Sequence, residues 1–181
     1  EATSFIMTGK NLKYLLCSFH SKFITFCFKN FYAGGGLGSG FRYKKAFLEN
    51  LPIVKIPNDK MVKFESLATI LLNLNQNLQS TKENFLNELN LEKIPTKLQN
   101  FEELEFDEFI KELTKAKKIK FADKLDERNF KNEWQRLFEH DKAEVLRLQN
   151  EINKTDKEID KMVYELYSLT KDEINLIENS L

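Results

Sequence analysis

The sequence has few of the residues that build disulfide scaffolds, irregular loops and membrane spans. Its 181 residues include two cysteines, three prolines and six glycines. Two cysteines exclude a disulfide-rich secreted domain, and no run approaches the roughly 20 uncharged apolar residues that a membrane helix needs. No secretory signal pattern opens the chain. We therefore expect a protein of the reducing cytoplasm that has no membrane partner.

The chain is long enough and apolar enough to form a real core. It has about the length of one domain, and 41% of its residues are hydrophobic. The first residue is Glu1, and the run from Thr3 to Met7 reads like a β-strand. We interpret the sequence as a fragment of a larger protein.

The formal net charge of zero conceals two regions of opposite charge. Residues 1–60 contain nine Lys or Arg residues against three acidic residues, so residues 61–181 have an acidic excess of six. All six glycines lie within residues 1–40. A basic, glycine-bearing segment can meet a polyanion, whereas an acidic segment without glycine favours helices. The sequence thus predicts a basic Gly/Phe-rich domain end at residues 1–60 and an acidic helical spacer or bundle at residues 61–181.

The basic region is predicted to contain one helix, one loop and one strand. Asn11 is a candidate cap for a helix that extends to Phe31, since apolar residues recur there at helical spacing. The glycines from Gly34 to Gly40 forbid a regular element, and the alternation over Phe41–Lys44 predicts a strand with a cationic face. The predicted apolar stripe comprises Leu12, Leu15, Leu16, Phe19, Phe23, Phe26 and Phe31.

Two heptad-like seams dominate the acidic region. Spacings of three and four residues at the a and d positions are typical of paired helices, so we expect the seams to form a long antiparallel coiled-coil-like pair. The first seam comprises Phe64, Leu67, Leu71, Leu74 and Leu78; the second comprises Val145, Leu148, Ile152, Thr155, Ile159, Met162, Leu166 and Leu169.

Shorter elements are predicted between and after the seams. Residues 82–140 should form shorter helices broken at Pro95, with Trp134 anchoring their packing. Thr170 and Glu173 have the spacing of a capping box, which predicts a separate final helix. The apolar clusters between the seams are Phe85-Leu86-Leu89, Phe106-Phe109-Ile110-Leu113 and Phe130-Trp134-Leu137-Phe138.

No catalytic or metal-binding pattern emerges from the sequence. Cys17 and His20 are one turn apart, but Cys27 lies about 15 Å further along the same predicted helix, so the two cysteines are interpreted as small buried hydrophobes. His140 has no nucleophile placed beside it by any motif. The glycine loop lacks a P-loop ending and follows a helix. Either a mobile surface loop or a loop pressed against nucleic-acid backbone fits it, and the cations that follow it favour the second.

Two distant segments resemble one enzyme family. The series Tyr14-Leu15-Leu16, the glycine loop, Gly40–Lys45 and Phe47–Ile53 resembles the C-terminal target-recognition region of type IIG restriction-modification enzymes, the TaqI-like specificity domain. The stretch Asp156–Tyr167, followed by Leu169-Thr170 and Glu173-Ile174, is similar to the ending of those enzymes. Residues 82–140 match no such motif.

The resemblance implies a non-catalytic DNA-recognition fragment of a bacterial cytoplasmic enzyme. Its mainly α fold would join a small basic α/β remnant of the recognition domain to helical spacers. Its partners would be double-stranded DNA and the methyltransferase and nuclease parts of a parent chain. That parent would be a site-specific adenine-N6 DNA methyltransferase with restriction endonuclease activity. S-adenosylmethionine and Mg²⁺ are expected for the parent, and no cofactor for the fragment.

We assign DNA contact to seven residues at the basic end. Five of them, Gly40, Arg42, Tyr43, Lys44 and Lys45, match the family's motif. The alternative function is a helical protein-interaction or spacer module of a multi-subunit specificity protein. The complete set of candidate DNA-binding residues is Lys29, Ser39, Gly40, Arg42, Tyr43, Lys44 and Lys45.

Overall fold

A computed structural model describes residues 6–32 and 44–181 of the chain. Of these residues 76% are helical and none lies in a strand, which confirms the mainly α fold class. The predicted glycine loop, and all but the ends of the predicted strands Thr3–Met7 and Phe41–Lys44, lie outside the described residues. The α-helices are α1 Leu12–His20, α2 Lys22–Cys27, α3 Lys45–Leu48, α4 Asn58–Glu88, α5 Thr96–Gln99, α6 Phe106–Lys117, α7 Lys124–Leu166 and α8 Lys171–Asn179.

The helix predicted from Asn11 to Phe31 is broken at Ser21, so this prediction is wrong in its continuity. Ser21 has an extended backbone, with φ −65° and ψ 147°, and its Oγ accepts a hydrogen bond from the Ile24 N–H at 3.3 Å. A serine that caps a new helix in this way competes with continuation of the old one. Asn11 occupies the N-cap position of α1 with φ 61° but makes no side-chain capping bond. A π-helical turn, Phe28–Tyr32, follows α2.

The buried face of α1 and α2 also differs from the predicted stripe. The Tyr14 ring meets the Phe64 ring edge-on with 5.1 Å between centroids, and Cys17 Sγ lies 3.4 Å from the Phe64 carbonyl oxygen. Contact with α4 therefore selects the face of α1 that carries Tyr14 and Cys17. The buried apolar residues are Tyr14, Cys17, Ile24, Cys27 and Phe28, whereas Leu12, Leu16 and Phe31 are exposed.

The two longest helices extend into the region predicted to hold only shorter ones. At 1.5 Å per residue, the 31 residues of α4 and the 43 residues of α7 span about 46 Å and about 65 Å. Phe85 lies in the last turn of α4, and Phe130 lies near the start of α7. Pro95 is the N-cap of α5, so the predicted interruption occurs there.

Packing divides the chain into two compact units. Unit 1 consists of Glu1–Leu72 together with Asn153–Leu181, and unit 2 consists of Asn73–Ile152. Helices α4 and α7 contribute residues to both units. The predicted boundary at residue 60 concerns charge and glycine content, whereas these units concern packing, so the two divisions describe different properties.

Unit 2 is built around an aromatic core. The Phe85 ring stacks on Phe101 with 3.8 Å between centroids, and Phe109 stacks on Phe138 at 4.6 Å. The half-buried Trp134 meets Phe109 edge-on at 5.7 Å. All three apolar clusters predicted between residues 82 and 140 enter this core, which confirms that they pack together.

Both predicted seams are buried along much of their length. Pairing of the two helices requires that both seams be buried. The antiparallel pairing itself stays a prediction. Phe64, Leu67 and Leu71 of the first seam and Val145, Leu148, Thr155 and Ile159 of the second are buried, and the remaining seam residues are half-buried.

The final helix begins as its sequence predicts. The Thr170 hydroxyl accepts a hydrogen bond from the Glu173 N–H at 3.3 Å, and the Thr170 N–H donates to Glu173 Oε2 at 2.8 Å. These reciprocal bonds form the predicted capping box, in which each side chain satisfies a helix-terminal N–H.

Candidate nucleic-acid interface

The structure describes three of the seven candidate DNA-binding residues. Lys29 lies in the π-helical turn and is half-buried, whereas Lys44 and Lys45 are exposed at the start of α3. Because α3 packs against the π-helical turn, the elements that carry these three lysines are neighbours. Ser39, Gly40, Arg42 and Tyr43 lie outside the described residues.

Lys44 and Lys45 have only weak contacts that an anion would have to replace. Lys45 is 82% exposed, and its Nζ lies 3.3 Å from a carboxylate oxygen of the exposed residue Glu49, one helical turn away. An exposed pair of this kind contributes at most about 1 kcal/mol. The Lys44 Nζ lies 5.9 Å from the centre of the Phe47 ring. Both ammonium groups are therefore able to contact a phosphate with little energetic cost.

Two tyrosines hold the proline-bracketed connector that follows α3. The Tyr14 hydroxyl donates to the Val54 carbonyl at 2.7 Å, and the Tyr167 hydroxyl donates to the Pro52 carbonyl. Burial raises the pKa of Tyr167 to about 12 and raises the pKa of Tyr14. Both phenols thus stay protonated at neutral pH and remain donors.

The beginning of α2 is tied to the distal part of the chain. The Lys22 N–H donates to Asp160 Oδ1 at 2.8 Å, which adds a second acceptor beside Ser21 at this helix terminus. The Lys22 ammonium lies 3.3 Å from Glu178 Oε1. Burial raises the pKa of Asp160, and the Lys22 N–H opposes that rise. His20 Nε2 lies 3.1 Å from a carboxylate oxygen of Asp156.

Residues of α1, α2 and α3 line an apolar hollow. Its volume is about 180 Å³, and among the described residues Thr25 supplies the one hydroxyl group beside aromatic and aliphatic side chains. The hollow therefore offers shape and apolar surface rather than groups that transfer protons. Its lining consists of Met7, Phe19, Ile24, Thr25, Phe28, Leu48 and Leu51.

The thiols of the basic region are packing groups, as predicted. Cys17 and Cys27 are both buried. Burial raises the pKa of Cys17 to about 11, with a smaller contribution from Asp156, and burial also raises the pKa of Cys27. Thiols of this kind are protonated at neutral pH and are poor nucleophiles. His140 is exposed on α7, where its Nδ1 lies 2.8 Å from Asp141 Oδ1.

Two further properties concern metals and membranes. Within residues 6–32 and 44–181, no group of three His, Cys, Asp or Glu side chains has the arrangement of a metal site. Across the same residues, no helix combines the length and the apolar character needed to cross a membrane.

Comparison with known proteins identifies a family. Residues 57–163 match the model of a domain of unknown function, DUF8810. The chain belongs to the DUF8810 family. The DUF8810 match includes all of unit 2 and the adjoining parts of α4 and α7. No curated protein and no solved structure matches the chain.

Proposed function

We propose that this chain is the DNA target-recognition part, with helical spacers, of a bacterial restriction-modification enzyme. The observation that carries the proposal is spatial: the two sequence segments that resemble this family, about 100 residues apart, belong to one packing unit. The Tyr167 hydroxyl bonds the Pro52 carbonyl, and the rings of Phe23 and Tyr167 lie 4.6 Å apart. Contact between the two segments supports the interpretation that they form one recognition region.

Charge and exposure favour the N-terminal part of unit 1 as the DNA face. Lys44 and Lys45 are exposed beside the π-helical turn that carries Lys29. Lysines are suited to phosphate contacts that position a duplex. From the sequence we add Arg42 to the proposed DNA face, because its guanidinium can bond guanine at two points. Gly40 and Tyr43 are included because they match the family's motif, and Ser39 because it lies in the glycine loop.

The long helices support the spacer part of the proposal. Parts of α4 and α7 line one groove in unit 1, with Lys60 and Phe64 on one side and Met162 and Leu166 on the other. This shared groove and the buried seams favour the antiparallel pair. Paired helices can set a distance between DNA-reading parts of an enzyme. In this proposal the chain does no chemistry, and S-adenosylmethionine and Mg²⁺ serve other parts of the parent enzyme.

Titration of DNA tests the recognition face. Lys44→Ala and Lys45→Ala should weaken binding to every duplex and reduce its salt dependence by roughly one unit of slope per lost contact. Arg42→Ala should instead relax the choice of sequence, because a base contact is lost. Lys171→Ala, at an exposed position on α8, is the control for loss of one charge. Unchanged affinity and slope in all three test variants would refute the assignment.

The parent enzyme is tested separately by sequence. The gene upstream of Glu1 should encode an adenine-N6 methyltransferase motif. If the complete reading frame encodes no methyltransferase, the restriction-modification part of the proposal fails even where DNA binding persists.

A helical protein-interaction module is the second candidate function. Exposed apolar side chains on α4 favour it, since Val62, Ile70 and Leu72 are 63%, 45% and 50% exposed. Light scattering after size-exclusion separates the two functions. If the two seams pack against each other within one chain, the protein stays monomeric. If the seams bind a second chain, the protein forms an oligomer.

A further inference from the structure

Unit 2 has a cluster of lysines at one of its ends. An open depression of about 580 Å³ lies there between two turns of the chain. Residues 90–93 line one side, and Ala116, Lys117 and Ile119 line the other. Among the described lining residues, Glu92 is the one carboxylate. Lys93 and Lys117 line the depression, and Lys115, Lys118, Lys120 and Lys124 are close to its lining residues in sequence. We call the surface that carries these six lysines the basic end of unit 2.

Glu92 lines the depression, and three other acidic residues close to these lysines in sequence have partners of their own. Glu112 lies 3.4 Å from the Lys97 ammonium, and Glu127 lies 3.0 Å from Lys131. Asp123 Oδ1 accepts hydrogen bonds from two N–H groups in the first turn of α7, at 2.8 and 2.9 Å. Within the part of the chain that the structure describes, no carboxylate lies within 4.0 Å of the ammonium group of any lysine of the basic end. The positive charge is therefore not neutralised locally.

The apolar side chains near this surface point to a phosphate ligand rather than a membrane or a protein. Phe121 packs on Phe130 at 5.6 Å, and the Trp134 ring lies under the Lys117 ammonium at 5.6 Å. Membrane-surface helices expose rows of apolar residues, but here the aromatic rings contact unit 2 itself. Protein interfaces have cores depleted of lysine. The apolar residues of the depression, Leu91, Ala116 and Ile119, are half-buried. A set of exposed lysines around them fits a phosphodiester backbone.

We propose that the basic end of unit 2 binds the phosphate backbone of double-stranded DNA without reading its sequence. Lysine acts as a point charge toward phosphate, and no arginine of the cluster is available for bidentate bonding to a base. This surface is separate from the recognition face around Lys44 and Lys45, and the inference does not require that face.

The test is a titration of the whole chain with labelled duplexes of unrelated sequence at several salt concentrations. The variant Lys115→Gln/Lys118→Gln/Lys120→Gln removes three exposed charges. Each lost phosphate contact should reduce the log–log salt slope by about 0.9. We expect a loss of up to about 2.7 units of slope, equal for all duplexes.

A matched control removes the same charge from unit 1. Lys154→Gln/Lys157→Gln/Lys171→Gln also removes three exposed lysines and should leave the slope nearly unchanged. Circular dichroism melts of both variants verify that the fold persists. An equal loss in both variants, no duplex binding by the parent chain at low salt, or preferential binding to phosphatidylserine vesicles overturns the inference. Loss of binding only in Lys44→Ala or Lys45→Ala would support the recognition face and overturn this second surface.

Discussion

Removal of Lys82 should destabilise unit 2 by leaving a carboxylate buried without its cation. The Lys82 ammonium lies 2.6 Å from Glu102 Oε1, and their side chains are 23% and 5% exposed. Gln149 Nε2 donates to the same oxygen at 3.2 Å. Glu102 Oε2 has no hydrogen-bond partner among the described residues. The lysine is thus the main compensation for a charge taken out of water.

The size of the effect follows from which partner is removed. Loss of one member of a buried pair costs about 3 to 5 kcal/mol, and the partial exposure of Lys82 favours the lower end, so Lys82→Met should cost about 3 kcal/mol. Glu102→Gln should cost only about 1 kcal/mol, because the remaining ammonium can reach water. The double variant should be more stable than Lys82→Met alone, since it buries no charge.

Urea denaturation followed by circular dichroism measures these differences. With a slope of about 1 to 3 kcal/mol per molar urea, a loss of about 3 kcal/mol lowers the midpoint by about 1 M or more. Lys154→Met, at an exposed position, is the control for removing one ammonium group. The reasoning is refuted if Lys82→Met unfolds like the control, or if the double variant is less stable than both single variants.

Three further predictions follow from unit 1. Tyr14→Phe and Tyr167→Phe should each cost about 1 to 3 kcal/mol because a carbonyl of the connector loses its donor, and a double-mutant cycle in urea should show coupling between them. Leu71→Asp should cost several kcal/mol, about 4, and a melting temperature within a few degrees of the parent would contradict burial of the first seam. Burial raises the pKa of Asp160. The folded state therefore keeps a proton on this carboxyl group at a pH at which the unfolded state has released it. The free energy of unfolding consequently falls as the pH rises above the ordinary pKa of the group. Asp160→Asn should therefore gain stability relative to the parent between about pH 4 and pH 7, measured by urea midpoints at both values.

The features predicted correctly from sequence are those decided by nearby residues or by simple periodicity. The Thr170 and Glu173 capping box needs only a spacing of three, and the Phe106 and Phe130 clusters need only a helical repeat of apolar residues. Local rules of this kind act before any tertiary contact exists. The structure therefore reproduces them.

The features that sequence reasoning missed depend on distant partners. The break at Ser21 is stabilised by Asp160, which accepts the Lys22 N–H across 138 residues of sequence. No sequence pattern marks Glu102 as buried, and only the fold brings Lys82 to it. The basic end of unit 2 is not visible in the net charge of residues 61–181, because that region as a whole has an acidic excess. A shorter charge window over residues 111–124, with six lysines against two carboxylates, could have found it.

Chain order gives the two units different requirements for folding. Unit 2 is one continuous segment, whereas unit 1 needs both ends of the chain, so unit 1 must close a loop of 80 residues. Loop-closure entropy grows with loop length. Within unit 2, Lys82 of α4 and Gln149 of α7 both bond Glu102. Folding of unit 2 therefore brings together the two helices through which the chain passes between the units. Unit 2 thereby shortens the loop that unit 1 must close.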